Sequence, residues 1–183
     1  MPDLPHGGSG KRPGIGNKEI TMVAISKPSG VREKLPSRQY GLVCGLQFER
    51  FHSREMALIP GVANPLFRLF PDSQIAWAGP WLIDIEKGHE LYSLLSSLEQ
   101  HAPAVSWIRS TVDFEKLTQS LASQLHVALE SGEQGLLRFY DPRVLRKIPE
   151  ILTAEQFSDF TRGIDSWLFD MDGKRYDVIR MER

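Results

Sequence analysis

Cysteine is nearly absent. Cys44 is the only one in 183 residues, so no internal disulfide can form and stability must come from a packed core. A lone thiol fits a reducing cytoplasm. No apolar run approaches the roughly 18 residues that a membrane-spanning helix needs. The opening "MPDLPHGGSG" has no basic stretch followed by an apolar one, so a Sec-type signal is not expected. Charge of one sign is missing too: 22 Lys and Arg face 23 Asp and Glu, a formal net charge of -1. No global field therefore draws in nucleic acid or an anionic membrane. Internal repeats are absent as well.

The usual constellations of chemistry are also missing. "GSGKRPG" falls short of a phosphate-binding loop, because Pro5 stands at the first glycine position and Arg12 at the Ser/Thr position. The histidines (6, 52, 89, 101 and 126) form no i, i+4 pair and no H-E-x-x-H. There is no G-x-S-x-G elbow. "DMDGKRYD" brings Asp170, Asp172 and Asp177 close in sequence, but the later Glu of a calcium loop is lacking, and the segment reads as a turn. Cys44 lies in an apolar stretch and is expected to be a buried, inert thiol. No catalytic set, metal centre or cofactor site is expected. A small metal-dependent hydrolase is the rival that convergence of the three Asp would favour.

What is present begins with a contrast in composition. Residues 1–38 hold six glycines, five prolines and seven Lys/Arg against three acids. Residues 1–37 read as a flexible, weakly basic tail, with a short strand over 19–26, "EITMVAIS". Residues 38–183 read as one domain with an ordinary share of apolar residues.

Within it, "QYGLVCGL" predicts a buried strand, "REMALIPG" a helical turn and "AGPWLIDI" (78–85) a strand. Leu91, Leu94, Leu95 and Leu98 fall at i, i+3, i+4 and i+7, the stripe of a helix that Pro103 stops. "AVSWIRS" is a strand. Asp113 caps a helix buried through Phe114, Leu117, Leu121 and Leu125. "HVALES" and "GLLRFY" predict a hairpin turning at Gly132. "DPRVLRKI" starts a helix that Pro149 interrupts, and Thr153 with Gln156 makes a capping box. "DSWLFDMDGKRYDVIRM" closes as a hairpin through Asp172-Gly173. The class is α/β (mixed): one central mixed β-sheet with helices packed on it and a C-terminal β-hairpin.

The stretch "GLLRFYDPRVL" concentrates charge at the end of a predicted strand. Asp141 followed by Pro142 fits a helix N-cap and first helical position. Arg138 alternates with Leu137 and Phe139, which places it on the other face of that strand. Arg143 sits in the first helical turn, where the dipole disfavours a cation, so it needs an acid either inside the fold or on a partner. Of the tryptophans, at 77, 81, 107 and 167, three lie in or beside predicted strands; core packing is expected for any one of them, and the alternative is that one or two line a groove for a partner.

"YGLVCG", "AGPWLIDI", "LLRFYDPRVL" and "WLFDMDG" occur in that order. Together they resemble the effector-loading adaptor domain of bacterial type VI secretion systems, the domain of unknown function numbered 4123, over about residues 38–173. The resemblance implies a non-enzymatic adaptor in the cytoplasm of a Gram-negative bacterium. Its partners would be a toxic effector, in some cases PAAR-containing, and the VgrG spike protein. Neither nucleic acid nor membrane insertion is implied. The matching positions are Pro80, Trp81 and Leu82, then Arg138, Tyr140, Asp141, Pro142 and Arg143, and the pattern leaves open which contact a partner and which hold the fold. Longer members carry a helical lobe beyond the closing hairpin, and the chain departs from them in stopping at Arg183. An interaction module unrelated to secretion is a second rival.

Overall fold

The computed structural model describes residues 36–129 and 131–181. The strand expected at 19–26, and all of the 1–37 tail except Pro36 and Ser37, lie outside the described residues.

Eight strands are described: β1 (Arg38–Cys44), β2 (Ala63–Pro65), β3 (Pro80–Asp84), β4 (Val105–Ser110), β5 (His126–Ala128), β6 (Gln134–Leu136), β7 (Ile164–Met171) and β8 (Lys174–Asp177). The helices are α1 (Gly45–His52), α2 (His89–Glu99), α3 (Phe114–Ser123), α4 (Pro142–Leu145), α5 (Ile148–Ile151) and α6 (Ala154–Phe160). Six strands form one sheet in the order β2-β3-β1-β4-β7-β8, and β5 and β6 form a separate hairpin. The α/β class with a central sheet is therefore as expected, but every ladder in that sheet is antiparallel rather than mixed. β3 and β4, the two strands joined through α2, run parallel to each other with β1 inserted between them.

Helices cover both faces of the sheet. On one face Trp107 packs against Tyr92 of α2, their rings 5.2 Å apart. A Cβ added at Gly41 would come within 2.7 Å of Leu95 Cδ1 on the same helix, so the glycine leaves room for that leucine against the sheet. On the other face Tyr40 stacks on Phe114 of α3, and Trp167 stacks on Phe160 of α6 at 5.2 Å. Double coverage explains why β3, "PWLID", is buried at every position and shows no polar alternation. In α2 the predicted stripe is real: Leu95 and Leu98 are buried, while Leu91 and Leu94 pack partly exposed against the core. Each fully buried leucine stabilises by roughly 1.5–3 kcal/mol. The helix ends at Glu99, four residues before Pro103.

The caps hold. Asp113 accepts the Lys116 backbone N–H at 3.1 Å, and Thr153 and Gln156 exchange both bonds of the capping box. Asp172 and Gly173 both have positive φ, which gives the β7–β8 hairpin its tight turn.

Other expectations need correction. The strand read through Leu46 stops at Cys44, because Gly45 and Leu46 donate to the carbonyls of Gly79 and Ala78 and the chain turns into α1. "REMALIPG" contains no helical turn: residues 54–58 are irregular and Ile59 bridges to Ala63. Pro60 disfavours helical backbone at the residue before it. β6 ends at Leu136, so Arg138 is not on a strand. The Leu137 N–H turns aside to the Leu125 carbonyl, and Phe139 and Tyr140 are buried together without alternation. Pro149 lies in the first turn of α5, where its missing N–H costs nothing. The last strand stops at Asp177, whose carboxylate accepts the Ile179 N–H and starts a 3-10 turn at Val178–Arg180.

Candidate partner-binding surface

The two motif segments meet at the end of β1. Cys44 pairs in register with Pro80, Val43 with Trp81 and Leu42 with Leu82. Burial raises the Cys44 thiol pKa, against the opposing influence of neighbouring backbone hydrogen bonds and of the Arg138 charge; the Asp141 charge acts with burial. Pro80, Trp81, Leu82, Tyr140, Asp141 and Pro142 are all buried. Only Arg138 and Arg143 of the eight are exposed.

Each of these residues has an internal partner or packing role. Asp141 caps α4 by accepting the Arg143 N–H at 3.0 Å, and Pro142 takes the first helical position. Arg143 forms a two-point ion pair with the same carboxylate. Arg138 lies over the Tyr140 ring, 5.7 Å from its centroid. Burial raises the Tyr140 hydroxyl pKa, and the adjacent Arg138 charge opposes that shift.

The acids of the rival metal site have structural work. Asp170 is bound at two points by Arg175, at 2.7 and 2.9 Å. Asp177 accepts the backbone N–H groups of Trp167 and Ile179. Asp172 occupies the hairpin turn. Among the described residues no group of three or more His, Cys, Asp or Glu is arranged to hold a metal ion. Trp81, Trp107 and Trp167 are buried, and Trp167 donates to Ser106 Oγ at 2.9 Å.

Trp77 is different. It belongs to the β2–β3 connection, residues 66–79, which displays Leu69 (80% exposed), Phe70 (78%) and Ile75 (52%). Contiguous exposed apolar side chains of this kind mark contact sites. The segment is nevertheless held at both flanks. Arg68 pairs with Glu115 of α3 at 2.8 Å, and His126 of β5 reaches Asp72 at 2.8 Å. At its end Gly79 packs under Phe67 and its carbonyl accepts the Gly45 N–H at 2.7 Å. A groove of about 370 Å³ opens beside it, lined by residues that include Phe67, Leu69, Ala122 and Leu125. Sequence reasoning missed this surface. The available signal was the run "PLFRLFPDSQIAW", rich in apolar residues yet matching no helix or strand period.

The architecture is thus an α/β domain whose sheet is covered on both faces and whose β2–β3 connection leaves apolar side chains exposed. The chain belongs to the family described as Domain of unknown function (DUF4123), whose model matches residues 42–159. That match runs from β1 into α6 and contains both the Pro80 and the Arg138–Arg143 segments. No curated protein and no solved structure matches the chain.

Proposed function

We propose that this chain is an adaptor of a type VI secretion system. It binds an effector in the cytoplasm of a Gram-negative bacterium and helps load it onto the VgrG spike by non-covalent recognition. The observation that carries this reading is the anchored apolar connection, where Leu69, Phe70, Ile75 and Trp77 are offered to solvent on a segment held by the Arg68–Glu115 ion pair and the His126–Asp72 contact. Family membership and the four motifs in register support it. Pre-ordering matters physically, because a contact loop already fixed pays less entropy on binding. A stable interface needs roughly 800 Å² from each partner, which this segment and the groove beside it can seed.

Co-expression of the chain with the VgrG and effector proteins encoded beside it, followed by pull-down, tests the proposal. Capture of the effector and spike is expected. Recovery of the folded chain with neither one attached overturns it.

A further inference from the structure

A second groove has the opposite chemistry. About 350 Å³ in volume, it lies between α4, α5 and the end of β7, lined by Arg143, Arg146, Lys147, Glu150 and Met171. Arg143 is already paired with Asp141, which leaves Arg146 and Lys147 against Glu150, a local excess of one positive charge on a chain whose formal net charge is -1. Arg146 lies over the Tyr176 ring at 5.0 Å, and Tyr176 is itself stacked on Phe169, so this guanidinium is held by a built platform. Arg138, exposed over Tyr140, is a further cation near enough to act on the Asp141 charge, outside the lining of the groove. Among the described residues, Arg143 is the one member of this set that is paired with a carboxylate. Among the described residues Arg138, Arg146 and Lys147 have no carboxylate partner, and Glu150 forms no ion pair with its neighbours in the groove.

We infer that this groove binds an acidic segment of a partner protein. The inference rests on the reading that the chain works by protein recognition, and adds a surface distinct from the apolar connection. Guanidinium forks match carboxylate geometry, and Met171 offers an apolar contact for the aliphatic stems between acids. A nucleic acid would need a track of cations on a basic molecule, whereas Glu150 interrupts this patch and the chain is net negative. A membrane surface would need a broad exposed apolar helix face, whereas Pro142 and Leu145 of α4 and Ile148 and Pro149 of α5 are buried, and Ile151 stands exposed as a single side chain.

The test is fluorescence anisotropy of the full chain titrated against a fluorescein-labelled peptide of Glu and Leu. Binding that weakens with salt is expected, with no binding of the matching Gln and Leu peptide. The double variant Arg146→Gln, Lys147→Gln should fold alike by circular dichroism and bind on the order of tenfold more weakly. Absence of peptide binding, or equal binding by the variant, overturns the inference. So does tighter binding of a DNA oligonucleotide or of phosphatidylglycerol vesicles. The assay uses neither effector nor spike, so peptide binding with a failed pull-down removes the adaptor reading alone. A successful pull-down with no peptide binding removes the groove alone.

Discussion

Arg143 grips Asp141 at two points, Nε donating to Oδ1 at 2.9 Å and Nη2 to Oδ2 at 2.7 Å. The same Oδ1 accepts the Arg143 backbone N–H, so one buried carboxylate caps α4 and neutralises a cation placed where the helix dipole disfavours it. The acid that Arg143 requires lies inside the chain. Asp141→Ala should lower stability by about 1–2 kcal/mol through the lost cap. Arg143→Ala, whose side chain is 64% exposed, should cost less than about 1 kcal/mol. Urea unfolding of the two variants checks this order.

Two carboxyl groups should shape the pH dependence in opposite directions. At Asp141 burial pushes the pKa up, but the hydrogen bonds and charge of Arg143 outweigh it, and the group lies below its ordinary value. Its stabilisation is present above the unfolded pKa and is lost as pH falls through the folded one. At Glu99 burial raises the pKa, and the Trp107 Nε1–H, donating at 2.9 Å, does not cancel it. Its contribution is fully present below the unfolded pKa and is lost as pH rises through the folded one. Asp141→Asn should therefore flatten the acid limb of the stability curve. Glu99→Gln should gain stability at neutral pH and lose that advantage in acid. Unfolding midpoints taken between roughly pH 3 and pH 7 give the comparison.

Gly45→Ala should destabilise, although Gly to Ala inside a helix ordinarily helps by about 1 kcal/mol. The new Cβ would lie 2.1 Å from the Trp77 carbonyl oxygen and 2.8 Å from that of Gly79, both backbone atoms that cannot swing away. A loss of roughly 1–3 kcal/mol is expected from the forced shift. Because that shift moves the end of the apolar connection, effector capture should weaken as well. Thermal unfolding and pull-down on one preparation measure both effects.

Leu69→Ser and Phe70→Ser should leave stability within about 0.5 kcal/mol, since both side chains are largely exposed. They should nevertheless abolish effector capture. Trp81→Ala is the contrast: it empties a core position and should cost about 3–5 kcal/mol. If the two serine variants capture effector as well as the parent chain, the apolar connection is not the contact.

Local rules were legible wherever the relevant atoms are close in sequence. Asp113, Thr153 with Gln156, Asp141 with Pro142, and Asp172-Gly173 act within a few residues of themselves, and each sits as read. Rules that assume an element continues were less faithful. "GLVCGL" is apolar throughout, yet its strand stops where Gly45 meets the Gly79 carbonyl, a contact 34 positions away. Arg138 looked like a strand residue because its neighbours are apolar. Burial of both Phe139 and Tyr140 instead demands a turn.

The caps, the leucine stripe of α2, the closing turn and the apolar runs of the buried strands were set by the sequence alone. These follow from backbone sterics, capping hydrogen bonds and the period of hydrophobic burial. Only the tertiary structure decided the sheet order, the partner of Arg143 and the surfaces left for others. Those depend on which distant side chains meet: Arg68 with Glu115 and His126 with Asp72 hold open an apolar segment that no local rule marks as exposed.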